Sequence, residues 1–241
     1  EDLPRAAGLL QDLVRTVQPD ALIVPDLAMI DLARQKGFTG AINLSTLANA
    51  GFAGSLDWIR RQLAVDQVVV PRELDIDEIR AMAAACPDGL GLEVFIHGAL
   101  CYGVSGRCYW SSYLGGRSSL RGRCVQPCRR RYAVGAGTER YFSCQDLSLD
   151  VLVKVLLGIP AISAWKIEGR KKGPHYVYYT VSAYRMLRDQ GTNRQAQRSS
   201  LELLEQSLGG GGYNRENLAT AWTAVLEALE AAGVRVPVRP T

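Results

Sequence analysis

Cysteines are the residues of this 241-residue chain whose type and spacing most directly indicate chemistry. Five of the six fall within 44 residues, and these are Cys101, Cys108, Cys124, Cys128 and Cys144. Four thiolates fit either a structural zinc ion or an iron–sulfur cluster. Zinc sites usually combine two short C-x2–4-C knuckles, and here the pair at 124 and 128 is short while the pair at 101 and 108 is a longer C-x6-C. The spacing therefore favours an iron–sulfur cluster, with zinc as the alternative.

The two remaining thiols carry weaker signals. Cys86 ends a predicted helix and is interpreted as a small buried hydrophobic residue. Cys144 is a core residue, a spare ligand or a group that faces the substrate. A disulfide framework is the competing interpretation of the whole set, and it is disfavoured because nothing in the sequence points to secretion and the chain is not a small scaffold.

The segment around the second cysteine pair is strongly basic and interleaved with aromatic residues. Its arginines are Arg117, Arg121, Arg123, Arg129, Arg130 and Arg131, and its aromatics are Tyr109, Trp110, Tyr113 and Tyr132. This combination is typical of surfaces that bind a phosphate backbone and stack on bases. Arginine forks also bind small carboxylates, and cations offset the negative charge of a thiolate-bound cluster. We take Arg129 and Arg130 as candidate substrate-binding residues.

Short apolar runs alternate with stretches of helical periodicity over much of the chain. The predicted strands are residues 21–26, 41–46, 67–71, 92–97, 141–146 and 161–168, and the predicted helices between them are 27–36, 55–63, 75–85 and 147–157. Near-continuous apolar strands indicate a parallel sheet that is covered on both faces. The alternation predicts an α/β fold built from repeated βα units, and Asp75 with Glu78 predicts a capping box at the third helix.

Polar residues cluster where these predicted strands end, which is where active sites form in βα barrels. Candidate substrate-binding residues there are Ser45, Glu73 and His97, and candidate catalytic residues are Lys166, Glu168 and Arg170. Alternation places Lys166 and Glu168 on one face, so we expect them to pair and to position a carboxylate or transfer a proton. The alternatives are a structural ion pair for these two and a helix N-cap for Ser45.

Two segments depart from the βα pattern. Residues 99–140 are rich in Gly, Ser, Arg and Cys and have little periodicity, and a loop of that length is usually functional. Residues 191–241 are predicted to be a linker and a helical tail that includes four consecutive glycines at 209–212. The sequence thus predicts a βα domain over 1–190 with the cysteine-rich loop inside it, followed by this tail.

Composition bounds the class of protein. With 47% hydrophobic and 22% charged residues, the chain is globular rather than disordered. No apolar run reaches the roughly 20 residues of a membrane span, and no signal peptide is visible, so we expect a cytoplasmic protein. Residues 1–90 carry a net charge of −5 and residues 91–241 a net charge of +9. This asymmetry indicates an anionic substrate near the second half, or simply a solvated basic surface.

Four motifs together resemble the collagenase-like peptidase family U32 over roughly residues 1–190. They are EVFIHGALC at 93–101, SGRC at 105–108, RGRCVQPCR at 121–129 and KIEGR at 166–170. The resemblance implies a TIM-type (β/α) barrel that here lacks its first three βα units, and a [4Fe-4S] cluster on Cys101, Cys108, Cys124 and Cys128. It also implies oxygen-independent hydroxylation of an RNA base or of a quinone-type aromatic ring, with prephenate as the oxygen donor. We expect that the missing units are absent from this sequence; the alternatives are a partner subunit that completes the barrel and the predicted helices at 199–232.

One departure from the family bears on the substrate. Family members commonly show Ser-Thr-Gln-x-Asn after the strand at 41–46, and this chain has Leu47 in place of the amide while keeping Asn49, a candidate substrate-binding residue. The alternatives to hydroxylation are a collagenase-like peptidase and a non-catalytic iron–sulfur scaffold or partner subunit. Direct peptidase chemistry is disfavoured because the chain has two histidines and neither a G-x-S-x-G nor an H-E-x-x-H motif.

Overall fold

The computed structural model describes residues 2–142, 146–169, 172–190, 199–200 and 202–204. The strands are β1 (Ala21–Val24), β2 (Ala41–Leu44), β3 (Gln67–Val69), β4 (Gly91–Ala99), β5 (Tyr132–Val134), β6 (Gly137–Glu139), β7 (Asp146–Ser148) and β8 (Ile162–Ile167). The helices are α1 (Asp2–Asp12), α2 (Ala28–Gln35), α3 (Leu56–Leu63), α4 (Ile76–Ala84), α5 (Trp110–Gly115), α6 (Val153–Leu157) and α7 (Pro174–Gln190). No helix in these described ranges is long and apolar enough to cross a membrane.

Six strands form one sheet in the order β1-β2-β3-β4-β7, and β8 also pairs with β4. The pairs β1–β2, β2–β3 and β3–β4 are all parallel, which confirms the predicted α/β class. Within the described residues, however, β1 pairs with β2 and with no second strand, so the sheet is open. The described strands therefore form an open sheet and not a TIM barrel, and β1 is an edge with one row of backbone groups unpaired.

The sheet is buried on both faces at β3 and β4, whereas Ile23 in β1 is 51% exposed, so the predicted cover on both faces is wrong at that edge. Ile42, Leu44, Val68 and Leu92 are completely buried. Asp75 and Glu78 form the predicted capping box, in which the Asp75 side chain accepts from the Glu78 N–H and the Glu78 side chain accepts from the Asp75 N–H. This bond pattern satisfies amides that the first turn of α4 otherwise leaves without partners.

The chain divides into two compact units. One comprises Glu1–Phe95, Ala99–Leu147 and Gly158–Lys166, and it contains β1–β3, most of β4 and the cysteine-rich segment, residues 100–142. The other comprises Ile96–Gly98, Ser148–Leu157 and Ile167–Thr241. Its described core includes Val153, Leu156, Tyr184 and Leu187.

The structure differs from the predicted elements between 141 and 157. The predicted strand at 141–146 is wrong at its start, since Tyr141 and Phe142 lie in a turn and β7 begins at Asp146. The predicted helix at 147–157 starts later, with a 3₁₀ turn at Asp150–Leu152 before α6. Backbone pairing explains the delay, because the Leu149 N–H donates to the Ile96 carbonyl at 2.9 Å. The predicted linker and most of the predicted tail lie outside the described residues.

Candidate iron–sulfur and substrate site

The predicted ligands lie in loops that follow the longest strand of the sheet. Cys101 comes just after β4, Cys108 precedes α5, and Cys124 and Cys128 lie around the 3₁₀ turn Pro127–Arg129. All four, and Cys86, are free thiols. The described cysteines therefore form no disulfide framework, as the sequence predicts. Cys144 lies outside the described residues.

The Cys101 thiol has a raised pKa. Burial is the largest influence that raises the pKa of the Cys101 thiol, and the neighbouring Cys108 and Cys124 raise it further. A hydrogen bond from the Gly103 backbone and the positive charge of Arg72 act in the opposite direction.

Hydrogen-bond donors also point at sulfur. The buried Ser111 hydroxyl donates to Cys124 Sγ at 3.5 Å, and the Gln126 N–H donates to the same sulfur at 3.3 Å. The Ser111 oxygen is itself held by the Val125 N–H at 3.1 Å. Donors aimed at sulfur stabilise a thiolate, which is the form that ligates metal.

The segment that carries Cys128 is fastened to the chain next to Cys101. The guanidinium of Arg129 donates to the Leu100 carbonyl at 3.2 Å and pairs with Asp146 at 2.9 Å. Arg129, predicted to bind substrate, instead contacts Leu100 and Asp146, and it thereby joins the segments that carry Cys101 and Cys128. Arg130, the other arginine of that prediction, is exposed.

The described thiols, with hydrogen-bond donors at one sulfur, have the donor chemistry that metal ligation uses. In the described part of the chain, no group of three or more His, Cys, Asp or Glu side chains closes around one metal ion. A zinc ion needs four sulfurs within about 2.3 Å of one point, whereas a cluster spreads its ligands over several irons.

The predicted substrate-binding residues at the ends of β2 and β3 contact protein groups. Ser45 caps the following 3₁₀ turn by accepting from the Leu47 N–H at 3.3 Å, which is the alternative the sequence left open. Glu73 accepts two hydrogen bonds from Ser105, a residue of the C-x6-C loop. Asn49 faces the same loop at Ser105 and Arg107.

The catalytic candidate Lys166 pairs with a residue that the sequence did not single out. Its Nζ donates to Glu93 Oε1 at 3.0 Å, whereas pairing with Glu168 was expected. The second oxygen, Glu93 Oε2, is buried and has no hydrogen-bond partner among the described residues. Glu93 and Phe95 share one face of β4 by alternation, which is the signal that sequence reasoning missed.

Phe95 lies between two cations. Its ring is 3.7 Å from the Arg72 guanidinium carbon and 5.9 Å from Lys166 Nζ. The positive charge of Arg72 also lowers the pKa of the Cys101 thiol. A buried carboxylate, two cations and an aromatic face can bind an anionic ring or hold a proton near it.

The remaining predicted residues belong to the second unit. His97 is 2% exposed, and its Nδ1 lies 3.3 Å from the Tyr184 hydroxyl. That hydroxyl also donates to the Ile96 carbonyl at 2.9 Å, and burial raises the pKa of Tyr184 to about 12. The Glu168 N–H donates to the His97 carbonyl at 2.8 Å. Arg170 lies outside the described residues.

The aromatic residues of the basic segment divide into two groups. Trp110 and Tyr132 pack around Phe142, with ring centroids 5.0 Å and 5.5 Å away, so they stabilise the segment itself. Tyr109 and Tyr113 are 67% and 87% exposed and remain accessible to a partner. Tyr109 and Tyr113 are therefore the aromatic residues of the predicted arginine–aromatic pattern that are accessible at the surface.

The chain is similar in sequence to curated proteins that carry different functional names. The chain is 35% identical over 191 residues to a tRNA hydroxylation protein P of Helicobacter pylori, covering 72% of this chain and 44% of that protein. It is 34% identical over 192 residues to a collagenase of Porphyromonas gingivalis, covering 72% and 45%. It is 32% identical over 203 residues to a 23S rRNA 5-hydroxycytidine synthase of Escherichia coli, covering 78% and 29%.

These matches extend over less than half of each of those three relatives. No solved structure matches the chain. The family model described as peptidase family U32 matches residues 1–218, which includes every motif on which the resemblance rests. The chain therefore belongs to peptidase family U32.

Proposed function

We propose that this chain is the iron–sulfur part of an enzyme that hydroxylates an RNA base without molecular oxygen. The observation that carries the proposal is a segment with free thiols, one of which accepts hydrogen bonds from Ser111 and Gln126, whose surface exposes Arg130, Tyr109 and Tyr113. Relatives named for tRNA and 23S rRNA hydroxylation support the same reading. The cofactor is a [4Fe-4S] cluster on Cys101, Cys108, Cys124 and Cys128.

The residues around the cysteines have defined tasks in this proposal. A bound cluster would supply one-electron redox chemistry. Arg72 offsets the negative charge of the thiolates, as its effect on the Cys101 pKa indicates. Lys166 and Glu93, joined at 3.0 Å, hold a proton beside the Phe95 ring. An anionic oxygen donor, which the family resemblance implies to be prephenate, would bind at Arg72 and Lys166 through its carboxylates.

RNA is the substrate that the surface of the cysteine-rich segment favours. Arg117, Arg121, Arg123, Arg130 and Arg131 are all exposed. Exposed guanidinium groups bind phosphates, and the rings of Tyr109 and Tyr113 offer faces on which unpaired bases stack. A small quinone-type substrate would need neither the number of cations nor the two exposed rings.

We also propose that the open sheet of this chain is part of a closed (β/α) barrel. The open edge of β1 accepts a further parallel strand, because its backbone groups on that side have no partner strand in the described part of the chain. The relatives are more than twice as long as the matched region, so a further segment or a partner subunit supplies the missing strands.

The test combines RNA binding with mass analysis of RNA. Binding should weaken steeply with salt through counterion release, and Arg130→Glu combined with Arg131→Glu should lower affinity by about tenfold or more. Arg15→Glu, an exposed change in the other half of the chain, is the matched control. Cells that lack the protein should lose a 16-Da addition on an RNA base. Salt-independent binding, or an unchanged RNA mass profile, would contradict the proposal.

Peptide hydrolysis is the second candidate, since one relative is named collagenase. The two histidines do not favour it, because His97 is buried beside Tyr184 and His175 packs on the Tyr179 ring at 4.6 Å. Hydrolysis of gelatin by the iron-free protein would support the peptidase. Bound iron without either activity would indicate the non-catalytic scaffold.

A further inference from the structure

Side chains from outside the cysteine-rich segment hold the loop between Cys101 and Cys108. Glu73, which follows β3, accepts from the Ser105 N–H at 2.9 Å with one carboxylate oxygen and from the Ser105 hydroxyl at 2.8 Å with the other. Glu73 itself is exposed, while Ser105 is 7% exposed. A carboxylate that receives two hydrogen bonds from one residue fixes both the position and the orientation of that residue.

A second contact comes from the turn after β2. Asn49 adopts a left-handed backbone with φ +56° at the end of the 3₁₀ turn Thr46–Ala48. In the amide orientation that satisfies its neighbours, it donates to the Ser105 carbonyl at 3.2 Å and accepts from the Arg107 guanidinium at 2.9 Å. The Ser105 backbone N–H, hydroxyl and carbonyl are therefore all bonded to residues of two βα turns.

Gly106, the next residue of the loop, lies very close to the backbone of the turn after β2. Gly106 has φ +73°, and a Cβ there would lie 3.0 Å from the Leu47 carbonyl oxygen and 3.2 Å from that of Thr46. Both values are below ordinary van der Waals contact, so this turn accommodates glycine alone without movement. Ser105, Gly106 and Arg107 are thus recognised as a set by the ends of β2 and β3.

We propose that Glu73 and Asn49 are positioning residues that set the C-x6-C loop for metal ligation, an inference that rests on the proposed cluster. Neither side chain needs to touch substrate, because both are engaged with the loop. These bonds order the loop, so Cys101 and Cys108 are held in one geometry before metal binds. Metal binding then does not have to supply the free energy of ordering the loop. We call the contacts of Glu73 and Asn49 with this loop the clamp. The clamp explains why a segment with so little buried apolar surface has a defined conformation.

The experiment measures iron loss to a chelator from anaerobically purified full-length protein. Residues that support metal ligands typically contribute about 10–100-fold to metal affinity, so Glu73→Ala should lose iron about tenfold faster or more. Ser105→Ala keeps the N–H bond and should lie between Glu73→Ala and the wild type. Adding Ser105→Ala to Glu73→Ala should change the rate little further, since their effects share one contact.

Two further variants serve as controls for misfolding and for the loss of a carboxylate elsewhere. Glu73→Gln keeps the side-chain size and one acceptor oxygen, so it should fold and show a smaller acceleration of iron loss. Asp57→Asn removes an exposed carboxylate of α3 that pairs with Arg61, and it should leave the rate unchanged. A wild-type rate in folded Glu73→Ala and Glu73→Gln would overturn the clamp.

Amide hydrogen exchange over residues 102–107 separates this inference from the proposed function. If the purified wild-type protein contains no iron, the proposed cluster fails, and exchange then judges the clamp alone. The Ser105 amide should be protected in the wild type and exchange about tenfold faster or more in Glu73→Ala, because its acceptor is gone. Equal exchange in both proteins would overturn the clamp whatever the iron content.

Discussion

The parallel strands β1–β4 and the cysteine-rich segment at 100–142 are stabilised in opposite ways. The strand region buries a continuous apolar core that includes Ile42, Leu44 and Leu92. The cysteine-rich segment has three buried residues, Ser105, Ser111 and Pro127, and two of these are polar. The difference shows that apolar burial organises the first region, while side-chain hydrogen bonds and a small aromatic cluster organise the second.

That difference has an energetic consequence. A segment with little apolar burial gains little from the hydrophobic effect and still loses conformational entropy on ordering. Ligation by four thiolates would offset this loss, because the free energy of binding a structural metal is also free energy of folding. The two regions should therefore respond differently to the same kind of damage.

The largest expected effect comes from removing a ligand. Cys124→Ala removes a sulfur that receives hydrogen bonds from Ser111 and Gln126, and it should eliminate most of the iron and the absorbance near about 400 nm. Hydrogen exchange should rise across 100–142 and stay low in β1–β4. Cys86→Ala, whose thiol bonds to the Leu90 carbonyl, is the control and should retain the spectrum. Full iron in Cys124→Ala would refute the ligand assignment.

The next largest effect concerns the sheet. Leu92 is completely buried in β4, and Leu92→Ala should cost about 2–5 kcal/mol in the free energy of unfolding measured with denaturant. Iron per folded chain should not change, in contrast to Cys124→Ala. Leu9→Ala, at a leucine that is 63% exposed, provides the reference for a change of side chain without a cavity. A similar cost at both leucines would mean that burial does not organise this region.

A smaller effect is expected in the second unit, at Tyr184. Its hydroxyl contacts the Ile96 carbonyl, the Leu149 N–H and Ser148 Oγ, so Tyr184→Phe should cost about 1–3 kcal/mol. Burial raises its pKa from 10.0 to about 12, so the unfolded chain releases this proton at lower pH than the folded one. Stability should fall as pH rises from 10 through 12, and the fall should be shallower in Tyr184→Phe. An identical pH dependence in both proteins would contradict this.

The smallest effect is expected on the surface of α3. Asp57 and Arg61 form an exposed ion pair at 2.8 Å. Exposed pairs contribute at most about 1 kcal/mol, so Asp57→Ala should change the free energy of unfolding by about 0.5 kcal/mol or less. The value should fall further at high salt. A cost comparable with that of Leu92→Ala would show that the ranking of these contributions is wrong.

The strand region was largely predictable from sequence because its signals are local. Apolar runs gave β1–β4, and Asp75 with Glu78 gave the cap of α4, since each pattern lies within a few consecutive residues. The roles of Glu73 and Asn49 were not predictable in the same way. Their partner Ser105 lies 32 and 56 positions along the chain, so no local pattern reveals the contact.

The same reason explains two further differences. Arg129 was predicted from its charge to bind substrate, yet its bonds to Leu100 and Asp146 depend on how distant loops fold. Lys166 was expected to pair with the nearby Glu168, and its partner Glu93 is 73 residues away. The sequence thus identifies which side chains can bind an anion or form an ion pair, and the fold decides which group each of them contacts.

The most direct test of the central claim is metal analysis of wild-type protein purified without oxygen. We expect about four irons and four acid-labile sulfides per chain, with a brown colour and a broad absorbance near about 400 nm that bleaches on reduction. Zinc in place of iron, or a colourless protein that contains neither iron nor sulfide after anaerobic reconstitution, would contradict it.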